Sequence, residues 1–220
     1  MELTFWGQSC WQIKIDGVEL LIDPWLTGNP QLGYIPDGLN PDLILVTHNH
    51  TDHVGDAIPL AKRFDATIIA TPSHARHYEA EGAKAERLHL GGRRRSDWGS
   101  IKAVQAFHDS PLSIGNSWRV ELGAECGFVI EAEGKKIYHA GDTCLFSDMS
   151  LWAPVDLALL PMDGQMVMEA EDAVRAAQFV EASLTIPIHW RSSDPHEFVR
   201  MLEAAGLRGQ VPEIGKSISL

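Results

Sequence analysis

Short apolar runs, most of them bounded by Gly, Pro, Asp or Asn, recur along the whole chain. Residues 2–6 read as a strand that Gly7 breaks, and residues 11–15 alternate apolar and polar. Asp16-Gly17 is a hairpin turn signal, and residues 19–22 are the returning strand. The unbroken apolar runs at 43–46 and 157–160 read as buried strands. Further strands are expected at 67–70, 101–107, 119–122, 127–132, 136–139 and 185–188, with an edge strand at 217–220. Helical patterns cover about 55–64, 73–81, 145–152 and 169–182. Ser73 is a candidate cap and Gly82 a stop, while Asp194-Pro195 supplies the cap and first turn of a last helix ending near Gly206. Residues 86–99 look irregular. Residues 27–41 form a long Gly/Pro/Asn-rich loop of a length more often functional than idle.

The order of elements repeats. Pro-Asp-Leu-Ile-Leu-Val-Thr at 41–47 parallels Val-Asp-Leu-Ala-Leu-Leu-Pro at 155–161. Each is followed by a loop, a helix and a strand containing Thr-Ile, and each is preceded by a hairpin about Gly17 or Gly134 that leads to Asp23 or Asp142. This implies an α/β fold of two related halves, each a sheet with helices on one side, packed sheet to sheet. No linker interrupts residues 1–220, which read as one domain. Loops leaving the strand ends of both halves should then meet at one edge.

Composition changes this picture little. Apolar residues at 45% and charged residues at 22% are ordinary for a globular chain able to bury a sizeable core. A net charge of −12 disfavours a nucleic-acid partner. Cys10, Cys126 and Cys144 are odd in number and widely spaced, so a disulfide framework is not implied and a reducing, cytoplasmic setting is the simpler reading. Neither a signal peptide nor an apolar run long enough to span a membrane is apparent, so membrane association is not expected. Self-association is left open.

The chemistry concentrates between the 43–46 strand and the helix after it. His48, His50, Asp52 and His53 fall within six residues, on a strand-to-helix loop where side chains can converge. Imidazole and carboxylate suit zinc, manganese or iron. His48 and His50, two apart in extended chain, share a side and can hold one ion; Asp52 and His53 can hold another. His108, Asp142 and His189 each directly follow a strand-like run and are available to complete the two sites.

This pattern, His48-x-His50-x-Asp52-His53 followed by His108, Asp142 and His189, resembles the signature of the metallo-β-lactamase superfamily, over most of the chain and in the right order. The segments at 21–30, 138–143 and 186–190 resemble the small metal-dependent hydrolases related to ascorbate-6-phosphate lactonase. The resemblance implies a four-layer αββα sandwich. It places His48, His50 and His108 on one metal, Asp52, His53 and His189 on a second, and Asp142 as the bridge. The implied cofactors are two divalent ions, zinc ahead of manganese or iron. The implied activity is attack of a bridging hydroxide on an ester, lactone, amide or phosphoester of a small molecule, with Asp52 orienting the hydroxide and accepting its proton. A nuclease or phosphodiesterase of the same superfamily, a non-catalytic metal-binding protein and di-iron oxygen chemistry are the competing classes. Asn49 and Thr51 stand where many relatives carry glycine, and residues 162–166 depart from close relatives beside the active edge.

Other residues are weighed more lightly. His74 and His77 read as solvent-facing, His139 as a core or supporting histidine, and His196 as surface. Arg93-Arg94-Arg95 reads as a solvated loop rather than an anion clamp. Asp23 is expected to support the site rather than ligate, Cys144 is not a nucleophile, and Trp25, Trp190 and Met166 are candidate pocket residues.

Overall fold

The computed structural model describes residues 1–110 and 123–220 in full, and within 111–122 only a strand pairing. Asp16-Gly17 and Glu133-Gly134 are both left-handed at both positions (φ 43° and 80°; 52° and 73°). That backbone has the twist that suits a tight hairpin, and each pair closes one.

The strands are β1 (Glu2–Gly7), β2 (Cys10–Ile15), β3 (Val18–Ile22), β4 (Leu43–Leu45), β5 (Thr67–Ala70), β6 (Ala85–Arg87), β7 (Arg93–Ser96) and β8 (Gly99–Gln105). After them come β9 (Leu112–Ile114), β10 (Ser117–Arg119), β11 (Cys126–Ala132), β12 (Lys135–His139), β13 (Val155–Pro161), β14 (Ala182–Ile188) and β15 (Ser217–Ser219). The helices are α1 (Thr51–Val54), α2 (Ala57–Phe64), α3 (Pro72–Ala80), α4 (Ala170–Phe179) and α5 (Pro195–Ala204), with a 3-10 segment at Ser147–Trp152. One sheet has the order β15-β1-β2-β3-β4-β5-β6 and the other β14-β13-β12-β11-β8-β7. The hairpin β2–β3 followed by parallel β4 and β5 matches the hairpin β11–β12 followed by parallel β13 and β14. The repeat read from sequence is therefore a structural one.

The apolar runs are unbroken because these strands are covered on both faces. Leu43, Leu45, Leu157 and Leu159 enter a core between the two sheets. Their neighbours Ile44 and Val46 pack beneath α2 and α3, and Ala158 and Leu160 beneath α4 and α5. The result is the αββα sandwich. Each fully buried Leu or Ile contributes roughly 1.5–3 kcal/mol, so these short central strands are held chiefly by their side chains.

Several local expectations shift. Residues 86–99 are irregular only in part: β6 and β7 are polar edge strands fixed by their ladders, and 88–92 and 97–98 are connecting turns. Arg93 and Arg94 on β7 pair with Glu131 and Glu86, so the basic run is strand rather than loop. The cap position of α3 is Thr71, with Pro72 opening the helix and Ser73 inside it. α4 ends at Phe179, because Glu181 turns left-handed (φ 48°) and Ala182 already pairs with Val155. The helix expected at about 55–64 is α2, which begins at Ala57, and a further short turn, α1, precedes it and takes in Asp52 and His53. Of the strand expected at 119–122, Arg119 closes β10 and the rest lies outside the described residues. No helix among the described residues is long and apolar enough to cross a membrane.

Candidate metal centre

The parallel strands of both sheets end at one edge, the usual place for a site in such folds. β4 leads through Val46 and Thr47 to His48, β8 leads to His108, β12 to Asp142 and β14 to His189. Thr47 O accepts from Cys126 N at 3.0 Å, which ties the two halves together there. Gly141 is needed at this junction. Its backbone is left-handed (φ 64°), and a Cβ would stand 2.8 Å from Cys126 O and 3.0 Å from Thr47 Cβ. The short turn of α1, closed by His53 N and Val54 N donating to His50 O, sets Asp52 and His53 beside the histidines before them.

All seven residues singled out from sequence come together. His48, His50, His108 and Asp142 offer ligand atoms within 4.8 Å of one another, and so do Asp52, His53 and His189. His50 Nδ1 lies 3.0 Å from His48 Nε2 and 3.1 Å from His108 Nε2. Asp142 stands between the groups. Its Oδ2 is 3.7 Å from His48 Nε2, 3.5 Å from His108 Nε2 and 3.2 Å from His189 Nε2, and its Oδ1 is 3.3 Å from His53 Nε2. Ligand atoms around a tetrahedral zinc with bonds of about 2.05 Å are about 3.3 Å apart, so the spacing fits. Asp142 Oδ1 and His53 Nε2 are buried without an aligned hydrogen bond. Such orphaned polar atoms are costly unless a cation or proton joins them. His48, His53, His189 and Asp142 are buried, while His50, Asp52 and His108 are half-buried.

Residues behind the cluster turn the imidazoles inward. Asp23 Oδ1 accepts from Thr47 N at 2.8 Å, and its Oδ2 accepts from Thr47 Oγ1 at 2.7 Å and His53 Nδ1 at 2.8 Å. Thr47 Oγ1, having given its proton to Asp23, accepts from His48 Nδ1 at 3.0 Å. Both imidazoles thus carry the outer proton and present Nε2 to the site, the usual support for ligating histidines. Asp163 Oδ2 faces His189 Nδ1 at 3.0 Å, outside hydrogen-bond alignment. Asp56 accepts from Leu26 N, Thr27 N and Thr27 Oγ1 at 2.7–2.9 Å, which pins the start of the long loop against the start of α2.

The charges follow from burial and neighbours. Burial, with the charge of His53, holds His48 well below the ordinary imidazole range. Burial also lowers His50 and His108. It would lower His53 too, but Asp142 and Asp23 on either side raise it well above the ordinary value. Against burial, Asp142 and Asp52 raise His189 to about 9. Burial opposes ionisation of Asp52 and Asp142, yet His189 beside the first and His53 beside the second keep both well down. Without metal, the cluster is an array of carboxylates holding protons on His53 and His189.

Sequence reasoning missed Thr47, Gln8, Asp163 and Arg191. Gln8 Nε2 donates to Asp52 Oδ2 at 2.9 Å, and Arg191 Nη2 lies 3.3 Å from the same oxygen. The position of Arg191 two residues after His189, at the same strand end, was the signal available. Asp23 has the supporting role expected of it. His74 does not face solvent: it is buried, with Nδ1 3.1 Å from Thr71 Oγ1. His139 is a buried tie, with Nε2 2.9 Å from Ser9 O. Arg93 and Arg94 are spent on β-sheet ion pairs. Trp25 lines a cavity beside the cluster, Trp190 packs on Phe5, and Met166 is exposed.

The model of a family described as the β-lactamase superfamily domain matches residues 2–189. A UPF0173 metal-dependent hydrolase of Anoxybacillus flavithermus is 40% identical over 228 residues, covering 100% of both chains. Another, of Enterococcus faecalis, is 43% identical over 196 residues, 87% of each chain. The solved structure of Igni18, described as a novel metallo hydrolase from Ignicoccus hospitalis, superposes with a TM-score of 0.88 at 29% identity, covering 99% of this chain and 97% of that one. Two sheets that deliver histidines and aspartates from four strand ends to one edge, in a chain with these relatives, lead to one assignment: the chain belongs to the β-lactamase superfamily, among its metal-dependent hydrolases.

Proposed function

We propose that the chain hydrolyses an ester, lactone or phosphoester of a small molecule with two divalent ions, zinc ahead of manganese or iron. His48, His50 and His108 would hold one ion and Asp52, His53 and His189 the other, with Asp142 shared. Once bound, such a pair supplies a Lewis acid and a water whose pKa falls from about 15.7 towards about 7.

The chain's own residues do the rest. Thr47 and Asp23 fix the inward faces of His48 and His53. Asp52 is kept ionised, and its Oδ2 is oriented by the Gln8 amide and the Arg191 guanidinium. That makes it the group to accept a proton from the attacking water. His50, Asp52 and His108 are the partly exposed members, so substrate approaches from their side.

The observation that carries this reading is the Asp142 carboxylate, within 3.2–3.7 Å of four imidazole nitrogens drawn from both groups. A panel of lactones, esters, thioesters, phosphodiesters and single-stranded RNA tests it. Hydrolysis of small esters or lactones, lost together with bound metal in Asp142→Ala, is the expected result. Cleavage of RNA without small-ester or lactone hydrolysis would overturn the substrate class.

A further inference from the structure

Beside Asp52 lies a cavity of about 310 Å³ walled by Gln8, Trp25, Pro30, Gln31, Asp52 and Arg191. That is near the lower end of small-molecule pockets, roughly 300–1,000 Å³. Arg191 is the cation of this wall, and its side chain is 48% exposed. Among the described residues it has two carboxylate contacts, Nη2 to Asp52 Oδ2 at 3.3 Å and Nε to Asp163 Oδ2 at 3.5 Å. Both are long for a guanidinium that carries five N–H donors.

The backbone around the cavity is built in an unusual way. Gln8, His189 and Arg191 are all left-handed without being glycine (φ 52°, 49° and 45°). His189 N donates to Gln8 O at 3.0 Å, which locks the two segments to each other. Each such residue costs of order 1–3 kcal/mol and persists only where the surroundings hold it. One bend after β14 therefore delivers His189 to the cluster and Arg191 to the cavity. The opposite wall is ordered as well, since Gln8 N donates to Gln31 Oε1 at 2.8 Å.

We propose that this cavity is the substrate subsite and that Arg191 is its specificity-determining residue, binding a carboxylate or phosphate carried by the substrate. The proposal rests on the hydrolytic reading above and adds a substrate class: a compact ester or lactone with an anionic group on one side of the bond that breaks. Trp25 and Pro30 give the body of the substrate a flat apolar wall. The planar fork of Arg191 matches an anion in a way that a lysine ammonium does not. Where the charge of Asp52 is shared with a bound cation, its hold on Arg191 weakens and the guanidinium is available to substrate.

The test compares wild type, Arg191→Ala and Arg191→Lys, each metal-loaded and with metal content measured. Substrates are p-nitrophenyl esters of matched length whose acyl chains end in methyl, carboxylate or phosphonate. The wild type should favour an anionic ester, and the better of the two names the anion. The ratio of kcat/KM for anionic over neutral ester should fall about tenfold or more in Arg191→Ala, with Arg191→Lys between. An unchanged ratio, even with both rates reduced, would show that Arg191 only positions Asp52 and would overturn the proposal. If the wild type cleaves none of these esters, the simple-ester branch of the hydrolytic reading fails, and calorimetric titration with benzoate, phenylphosphonate and neutral benzamide still decides the subsite. An anion that binds wild type and loses about tenfold in Arg191→Ala supports it. Anions that bind no better than benzamide, or equally well to Arg191→Ala, overturn it.

Discussion

Replacing Asp23 by Asn exchanges one oxygen of a buried carboxylate for an NH₂ and tests how the site is oriented. The carboxylate accepts three bonds, from Thr47 N, Thr47 Oγ1 and His53 Nδ1. An amide can accept at one end only. If its oxygen stays on Thr47 N, its NH₂ faces Thr47 Oγ1 and His53 Nδ1, which must now accept. Thr47 Oγ1 would then donate to His48 Nδ1, 3.0 Å away. His48 would move its proton to Nε2, and His53 would lose its Nδ1 proton and keep only the one on Nε2, the nitrogen that faces Asp142. If the amide turns over instead, Thr47 N loses its acceptor in a buried place, at roughly 1–3 kcal/mol of stability. Supporting residues of this kind are worth about 10–100-fold in metal affinity, or about 1.4–2.7 kcal/mol. Zinc affinity measured by competition with a chromophoric chelator near neutral pH should fall by that factor. Nitrogen NMR of the metal-free variant should show His53 Nδ1 deprotonated, where the wild type carries protons on both nitrogens, or denaturant unfolding should show the stability loss. Wild-type affinity with unaltered stability and tautomers would refute the reasoning.

Other consequences are equally open to measurement. Burial, reinforced by His77, lowers His74 from its ordinary 6.5 to about 4, so the unfolded chain takes up this proton before the native one does. The stability from neutral His74 is complete above pH 6.5 and is lost as pH falls towards 4, by about 3 kcal/mol. Urea unfolding of wild type and His74→Leu across that range should show the variant with the flatter pH dependence. Gly141→Ala puts a Cβ 2.8 Å from Cys126 O in left-handed backbone. It should cost at least about 1–2 kcal/mol, a fall in Tm of roughly 2–8 °C, and should weaken metal binding because Asp142 follows directly. His189, raised to about 9, must release its proton to ligate. Metal affinity should therefore rise with pH up to about 9, by about tenfold per pH unit for each proton displaced, with proton release seen by calorimetry in buffers of different ionisation enthalpy.

The fold was largely legible because its strongest signals are hydrophobic. The runs at Leu43–Leu45 and Val155–Pro161, and the turns Asp16-Gly17 and Glu133-Gly134, mark the repeated unit on their own. The cluster was legible because His48, His108, Asp142 and His189 each follow a strand, and His50, Asp52 and His53 lie close behind His48 in sequence. Edge strands β6 and β7 were not, since polar strands show no apolar alternation and exist through their ladders. His74 was misplaced because the buried face of α3 comprises only His74, Ala75 and Tyr78, too little apolar contrast to reveal its direction. Thr47, Gln8, Asp163 and Arg191 act through contacts across 24 to 139 positions of chain or at irregular backbone, where neither periodicity nor spacing points. Residues 162–166 drew notice as a departure in sequence; the structure shows that Asp163 there faces His189.

The most direct measurement is metal content by elemental analysis, taken with small-ester or lactone hydrolysis on the same samples, for the intact chain and for His50→Ala and Asp142→Ala. The intact chain should hold about two divalent ions and hydrolyse substrate, and each variant should lose metal and activity together. An intact chain that binds no divalent ion after reconstitution, or full activity in metal-free His50→Ala, would contradict the account.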